Sequence, residues 1–198
     1  VPSNNNFVSW QYPSQDIEFG LHPGMKYYWR YLMYNIDEEL SLMLKSAGVK
    51  LIYIGIESGV KKIRDESHRL SEENDKQIEK INYLEKLGIM VKANYIVGLP
   101  KDTKETYLQT LEYAKEVNTS YAQFSVFTPY PGTPSYLDYK EKITSEKFED
   151  FTQWRLVFNH ENFTQKDISD LITKSYTEYY LNSKWIFKYL KNKLLKFN

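Results

Sequence analysis

Three short segments gather the residue types that can hold a polar small molecule. In Gly55-Ile56-Glu57-Ser58-Gly59 a carboxylate and a hydroxyl stand side by side between glycines. At the end of a strand such a pair can grip sugar hydroxyls while the glycine gives the chain a tight exit. The same residues also read as a plain turn whose glutamate caps the next helix. In Asn94-Tyr95-Ile96-Val97-Gly98-Leu99-Pro100, Gly98 lets a flat ring approach the backbone, and strand-end amides can bond the edge of an adenine. A routine strand-to-helix turn, stiffened by Pro100, explains it equally well. Pro129-Tyr130-Pro131-Gly132-Thr133 sets prolines around one glycine. That rigid turn either shapes a cofactor or substrate wall or only leads the chain away.

The surrounding pattern decides how these segments are placed. Asn35-Ile36-Asp37-Glu38 opens a helix carrying Leu40, Met43, Leu44 and Ala47, and Gly48 follows where a left-handed cap belongs. Leu51–Ile56 is a nearly continuous apolar run, the signature of a strand buried on both faces. The unit then repeats. Ser71 with Glu72 and Glu73 starts a helix with Ile78, Ile81, Leu84 and Leu87 inward, Gly88 ends it, and a strand runs over 89–97. Asp102 and Glu105 read as a cap and its reciprocal partner for a helix through Val117 with Leu108, Leu111 and Ala114 inside. A third strand occupies 121–128. Helices alternating with strands over short connections mean parallel strands and crossover helices, with ligands at the strands' C-terminal edge, where all three segments fall.

Beyond Thr133 the alternation stops. Residues 146–160 predict a short helix with Phe148, Phe151, Trp154 and Phe158, and a long helix is expected from Asp167 onward through Tyr176, Tyr180 and Trp185. Lys184, Lys188, Lys191, Lys193 and Lys196 make the tail basic. Such a helix either packs on the barrel with a solvated lysine face or lies on a membrane surface. Residues 1–28, rich in Asn, Pro and Ser, read as an irregular or truncated segment.

Composition excludes several classes. The 198 residues hold no cysteine, so this chain supplies neither disulfides nor thiolate ligands. His22, His68 and His160 are too scattered for a metal site, so no metal ligand is assigned and no catalytic residue is named. Lys and Arg balance Asp and Glu at 26 each, which gives no reason to expect nucleic acid. No apolar run spans a membrane and the first ten residues are not a signal peptide, making the cytoplasm the expected location. The aromatic cluster Tyr27, Tyr28, Trp29, Tyr31 and Tyr34 suits a core or capping role.

Taken in order, GIESG, IVGLP and PYPGT, with Arg69 between the first two and the lead-in Ile36-Asp37-Glu38-Glu39-Leu40, resemble the second half of radical S-adenosylmethionine enzymes. Ser175-Tyr176-Thr177-Glu178-Tyr179-Tyr180-Leu181 is similar to the tail of the cobalamin-binding branch. The resemblance implies an α/β fold, a partial (β/α) TIM-type barrel over 29–140 with a helical C-terminal extension over 141–198. It implies S-adenosylmethionine, a four-iron four-sulfur cluster and, for the narrower branch, cobalamin as cofactors. Such enzymes cleave S-adenosylmethionine to a 5′-deoxyadenosyl radical for hydrogen abstraction or methyl transfer. Carried over by position, Glu57, Ser58 and Gly59 would lie near the ribose, Arg69 would pair with the methionine carboxylate, and Asn94, Ile96, Gly98 and Pro100 would flank the adenine. Tyr130, Pro131, Gly132 and Thr133 would face a small-molecule substrate. The family's cysteine loop is absent here, Asn94 replaces a frequent Gly, and Lys101-Asp102 varies a Gly-Glu pair. The expected partner is therefore a cluster-bearing N-terminal half or another subunit, without which the chain is not catalytically competent. The alternative is a non-catalytic half-barrel that binds a partner.

Overall fold

The computed structural model describes residues 28–32, 36–66 and 73–194. Arg69, His22, His68, Ser71, Glu72, Lys196, Tyr27, Tyr34 and the N-terminal residues before 28, expected to be irregular or truncated, lie outside the described residues.

The described sheet has four parallel strands in sequential order: β1 (Tyr28–Leu32), β2 (Leu51–Glu57), β3 (Met90–Val97) and β4 (Tyr121–Val126). Three strands were expected, and β1 adds a fourth, with Tyr28 in register with Leu51. Helices α1 (Glu38–Ser46), α3 (Asn74–Lys86) and α4 (Lys104–Val117) make the crossovers, with a short α2 (Lys61–Glu66) after β2. Then follow α5 (Pro134–Tyr139), α6 (Gln165–Tyr180) and α7 (Ser183–Leu194).

The helix ends follow local chemistry. The Asp37 side chain accepts the Leu40 N–H at 2.7 Å, and Gly48 and Gly88 adopt φ of 79° and 81° just past α1 and α3. The α4 cap falls one residue beyond the expected Asp102: Thr103 and Thr106 form the capping box, because the Asp102 carboxylate is engaged elsewhere. Glu73, without a side-chain cap bond, precedes α3.

Burial alternates along the strands. Ile52, Ile54, Ile56, Val91, Ala93, Tyr95 and Phe124 pack under the helices with Ile81, Leu84, Leu111 and Ala114, whereas Leu51, Tyr53, Lys92, Asn94 and Ile96 are only half-buried on the opposite face. The reading of β2 as buried on both faces is corrected: helices cover one face, and the other is the inner face of a barrel. Leu108, expected inside, is 37% exposed, and Tyr107 and Thr110 take the inner positions. The helix expected over 146–160 is not formed. Phe148–Asp150 makes a single 3-10 turn, with Asp150 held by Ser145 and Arg155, while Ile143 bridges Phe158. Those side-chain bonds compete with a helical backbone, and Phe148 and Trp154 stay exposed.

The long C-terminal helix divides at Leu181 into α6 and α7, and α6 does something the pattern did not announce. Its tyrosines close the outer edge of β4. Tyr180 Oη accepts the Ala122 N–H at 2.9 Å and donates to the Ala122 carbonyl at 2.8 Å. Tyr176 Oη does the same at Phe124, at 3.2 and 3.3 Å, and Tyr179 Oη donates to the Thr119 carbonyl at 2.7 Å. An open strand edge templates association, and phenol hydroxyls here occupy the groups that a further strand would use. The double variant Tyr176→Phe/Tyr180→Phe should lose about 1–3 kcal/mol in urea denaturation and begin to scatter light at lower temperature. An unchanged aggregation onset would show that the edge is protected by other means.

Candidate functional site

The site forms where β2, β3 and β4 end. The last residue of β2, Glu57, has φ of 69°, a left-handed backbone rare for a side chain with Cβ, at a register shift between Gly55 and Glu57. This bend folds the carboxylate back over Gly55. A Cβ on Gly55 would lie 2.6 Å from Glu57 Oε1, so any side chain there would displace the carboxylate from this position. Gly55 is in register with Asn94, and Asn94 with Gln123, placing the carboxylate over the inner face of the sheet. Glu57 is 6% exposed. Ile96 follows Asn94 on that face, and deeper down the Lys92 ammonium lies 5.1 Å from the Tyr53 ring centroid.

Ser58 and Gly59 turn the other way. Ser58 is 1% exposed, its Oγ 2.9 Å from Thr110 Oγ1, and it accepts the Val60 N–H. The Gly59 N–H donates to Thr110 Oγ1 at 3.0 Å, and a Cβ there would meet Tyr113 Cβ at 2.6 Å. Arg64, 2% exposed, donates to the Ser58 carbonyl at 2.6 Å and to Asn74 Oδ1 at 2.8 Å, and Asn74 donates to the Gly59 carbonyl. Burial pushes the Arg64 guanidinium below its ordinary value. These two motif residues position the turn and leave Glu57 facing inward.

The second loop is held in the same manner. Gly98 has φ of 75°, and its N–H donates to Asp102 Oδ2 at 3.2 Å. Asp102 also accepts the Thr106 hydroxyl, and its carbonyl accepts from Asn162 Nδ2 at 2.9 Å. Ile168 and His160 pack behind Gly98, with His160 Nε2 3.3 Å from the Leu99 carbonyl and its ring centroid 4.8 Å from that of Phe163. Burial lowers the His160 pKa, favouring the neutral ring. Pro100 is half-buried. At the third strand end, Thr133 caps α5 and donates to the Tyr130 carbonyl at 2.7 Å, Tyr130 packs beside Phe151 and Phe158, and Pro131 and Gly132 are exposed.

The fold thus brings Glu57, Asn94 and Ile96 to one face at the strand ends, with Gly98 at the rim and Tyr130–Thr133 on the adjacent loop. It takes Ser58 and Gly59 into the helix layer. Sequence reasoning missed Arg64, Thr110, Asp102 as a loop anchor, and His160. Only Asp102, already noticed next to the glycine loop, carried a local signal. An open groove lined by Asn74, Glu105, Gln109, Glu112 and Asn182 runs on the helix side, off this inner face.

The chemistry of the donors separates two groups that the resemblance implies. With no cysteine in the chain, and no cluster of three His, Cys, Asp or Glu among the described residues, these residues do not fit an iron–sulfur cluster. They do fit part of a nucleoside: a fixed inward carboxylate, an amide side chain beside it, and a flat glycine rim.

No protein-family model matches the chain. Over 154 residues it is 29% identical to an uncharacterized methyltransferase of Pyrococcus horikoshii, covering 77% of this chain and 33% of that protein. Over 152 residues it is 23% identical to the anaerobic magnesium-protoporphyrin IX monomethyl ester cyclase of Rubrivivax gelatinosus, covering 76% and 27%. The chain therefore spans a third or less of the length of these relatives. Among solved structures, Escherichia coli coproporphyrinogen III oxidase, described as a radical SAM enzyme, superposes with a TM-score of 0.55 at 16% identity, covering 78% of this chain and 32% of that one. The radical S-adenosylmethionine methyltransferase TsrM of Kitasatospora setae, solved with cobalamin and a four-iron four-sulfur cluster, gives 0.52 at 18%, covering 57% and 23%. These likenesses show the fold, a partial (β/α) barrel.

Burial raises the Asp102 carboxyl to about 6, against the opposing pull of its hydrogen bonds from Thr106, Gly98 and Thr103. A carboxyl with a folded value above its unfolded one holds its proton more tightly when folded. Its contribution is therefore greatest below about pH 4 and is withdrawn as pH rises to about 6. Asp102→Asn removes this titration. Its stability relative to the parent protein should rise by up to about 3 kcal/mol between pH 4 and pH 7, at about 1.4 kcal/mol per unit, read from urea denaturation across that range. Parallel pH profiles would mean that the carboxylate is solvated.

Proposed function

We propose that this chain is a radical S-adenosylmethionine protein, and that it is the C-terminal part of a catalytic barrel whose cluster-binding segment lies upstream. The observation that carries this reading is the one-ended sheet. The β4 edge is closed by Tyr176 and Tyr180, so further parallel strands can join only beside β1, from earlier in the chain. The helical region over 141–198 then closes the barrel's last edge.

In this reading Glu57 receives the ribose hydroxyls of S-adenosylmethionine, and Asn94, Ile96, Gly98 and Pro100 bound its adenine. Arg69 pairs with its carboxylate, a role suited to a planar guanidinium. Ser58 and Gly59 serve the same site at one remove, by holding the turn that aims Glu57. Tyr130, Pro131, Gly132 and Thr133 contribute to the wall facing a small-molecule substrate. In such enzymes the bound cofactors supply a radical for hydrogen abstraction or a methyl group for transfer, and cobalamin accompanies them in one branch. What this chain contributes is orientation and exclusion of water, through a buried carboxylate at a left-handed strand end and a glycine at the rim. The reading of the chain as an enzyme part rather than a partner-binding remnant rests on Glu57, whose strained placement has no need in a passive scaffold.

The test uses the full-length protein, anaerobically reconstituted. It should contain iron, bind S-adenosylmethionine and release 5′-deoxyadenosine or a methylated product. Glu57→Gln and Arg69→Ala should each weaken S-adenosylmethionine binding at least roughly tenfold, about 1.4 kcal/mol, in equilibrium titration, with the iron content unchanged. Undiminished binding in both variants would remove these residues from the site. A full-length protein that takes up no iron would end the enzymatic reading.

A further inference from the structure

Helix α7 presents two unlike faces. Its inner face is docked: Trp185 Nε1 donates to the Ser120 carbonyl at 3.3 Å, its ring centroid lies 4.7 Å from that of Tyr180, and Tyr189 stacks on it at 5.2 Å. Lys188 reaches Glu85 and the Asn118 carbonyl. At 100° per residue, Trp185, Lys188, Tyr189 and Asn192 share this arc. The opposite arc carries Ile186, Phe187 and Leu190, which are 39%, 70% and 51% exposed, and Leu181 just before the helix is 71% exposed. Exposed Lys184 and Lys191 border this crest on one side and Lys193 on the other. From Leu181 to Asn198 the sequence has five lysines and no acid, in a chain whose formal net charge is zero.

The charge extends beyond the helix. Lys45 and Lys86 lie in the last turns of α1 and α3, and Lys50 directly precedes β2, so all three stand at the strands' N-terminal edge. That is the pole where α7 docks, since its partners are Glu85 in the last turn of α3 and Asn118 and Ser120 in the loop entering β4. Of the carboxylates near it, Glu85 is held by Lys188 and Glu112 and Glu178 by Lys115, while exposed Glu116 lines a groove together with Lys184.

We propose that α7 lies on an anionic lipid bilayer, with Phe187, Leu190 and Ile186 in the headgroup layer and the flanking lysines on lipid phosphates. A convex apolar crest with cations on both flanks matches a plane of negative charge, whereas a protein partner would have to supply an acidic groove around it. The helix lies on the surface and does not cross it, since no helix among the described residues is long and apolar enough to span a membrane. The strands' C-terminal edge then faces away from the lipid, so the geometry brings substrate from water. This proposal stands independently of the catalytic reading.

The test is co-sedimentation of the full-length protein with vesicles of phosphatidylcholine, alone or mixed with phosphatidylglycerol. Pelleting is expected with the anionic vesicles, roughly tenfold above phosphatidylcholine alone, and should weaken as salt shortens the screening length. Phe187→Ser/Leu190→Ser and Lys184→Gln/Lys191→Gln/Lys193→Gln should each abolish it while keeping the parent circular dichroism spectrum and melting temperature, because all five side chains are exposed. Failure of the parent protein to pellet, or pelleting undiminished in both variants, would overturn the proposal. Self-association or capture of an acidic protein, lost in the Phe187→Ser/Leu190→Ser variant without any vesicle binding, would overturn it in favour of a protein interface.

Discussion

Thr110 lies two turns into α4, and its hydroxyl is where the loop after β2 is tied down. It donates to the Thr106 carbonyl, accepts the Gly59 N–H and sits 2.9 Å from Ser58 Oγ. One turn earlier Thr106 donates to Asp102, which accepts the Gly98 N–H. The first turns of one helix therefore hold the exits of two strands. Because Ser58, Thr110 and Asp102 are each 1% exposed, water cannot replace these bonds without opening the layer. Glu57 and Gly98 keep their relation as a consequence, and a shift of α4 moves both loops together.

The division of labour within the first motif follows from this. Two residues after Gly55 the chain must leave the inner face of the sheet and reach the helix layer. The left-handed Glu57 makes that reversal, at a strain of about 1–3 kcal/mol. Ser58, Gly59, Arg64 and Asn74 secure what comes after it.

Much of the architecture was legible because it is periodic and punctuated. Asp37, Gly48 and Gly88 mark helix ends through capping and left-handed geometry that depend only on near neighbours, and the alternation of helix and strand gives parallel pairing. What escaped the reading depends on contacts distant in sequence. Hydropathy places Leu108 inside α4 ahead of Thr110, yet Thr110 is buried because Ser58, more than fifty positions earlier, supplies its partner. Asp102 looks like a cap until Gly98 competes for its carboxylate. The aromatic spacing over 146–160 suggests a helix, but Asp150 bonds to Ser145 and Arg155 instead. In the site, glycines and a carboxylate announced the strand ends, and only the register shift at Gly55 reveals that Glu57 turns inward and Ser58 outward.

The tyrosine seal on β4 also sets an order in time. The strand ends at Val126, while Tyr176 and Tyr180, which close it, come 50 and 54 residues later in the chain. At translation rates of roughly 5–20 residues per second, the seal is therefore synthesised about 3–11 s after the strand it protects. During that interval the nascent chain lacks the residues that close the β4 edge. Crowded ribosomes on one message would hold several such edges close together, and this interval exposes the chain to misassembly more than any stage after α6 has docked.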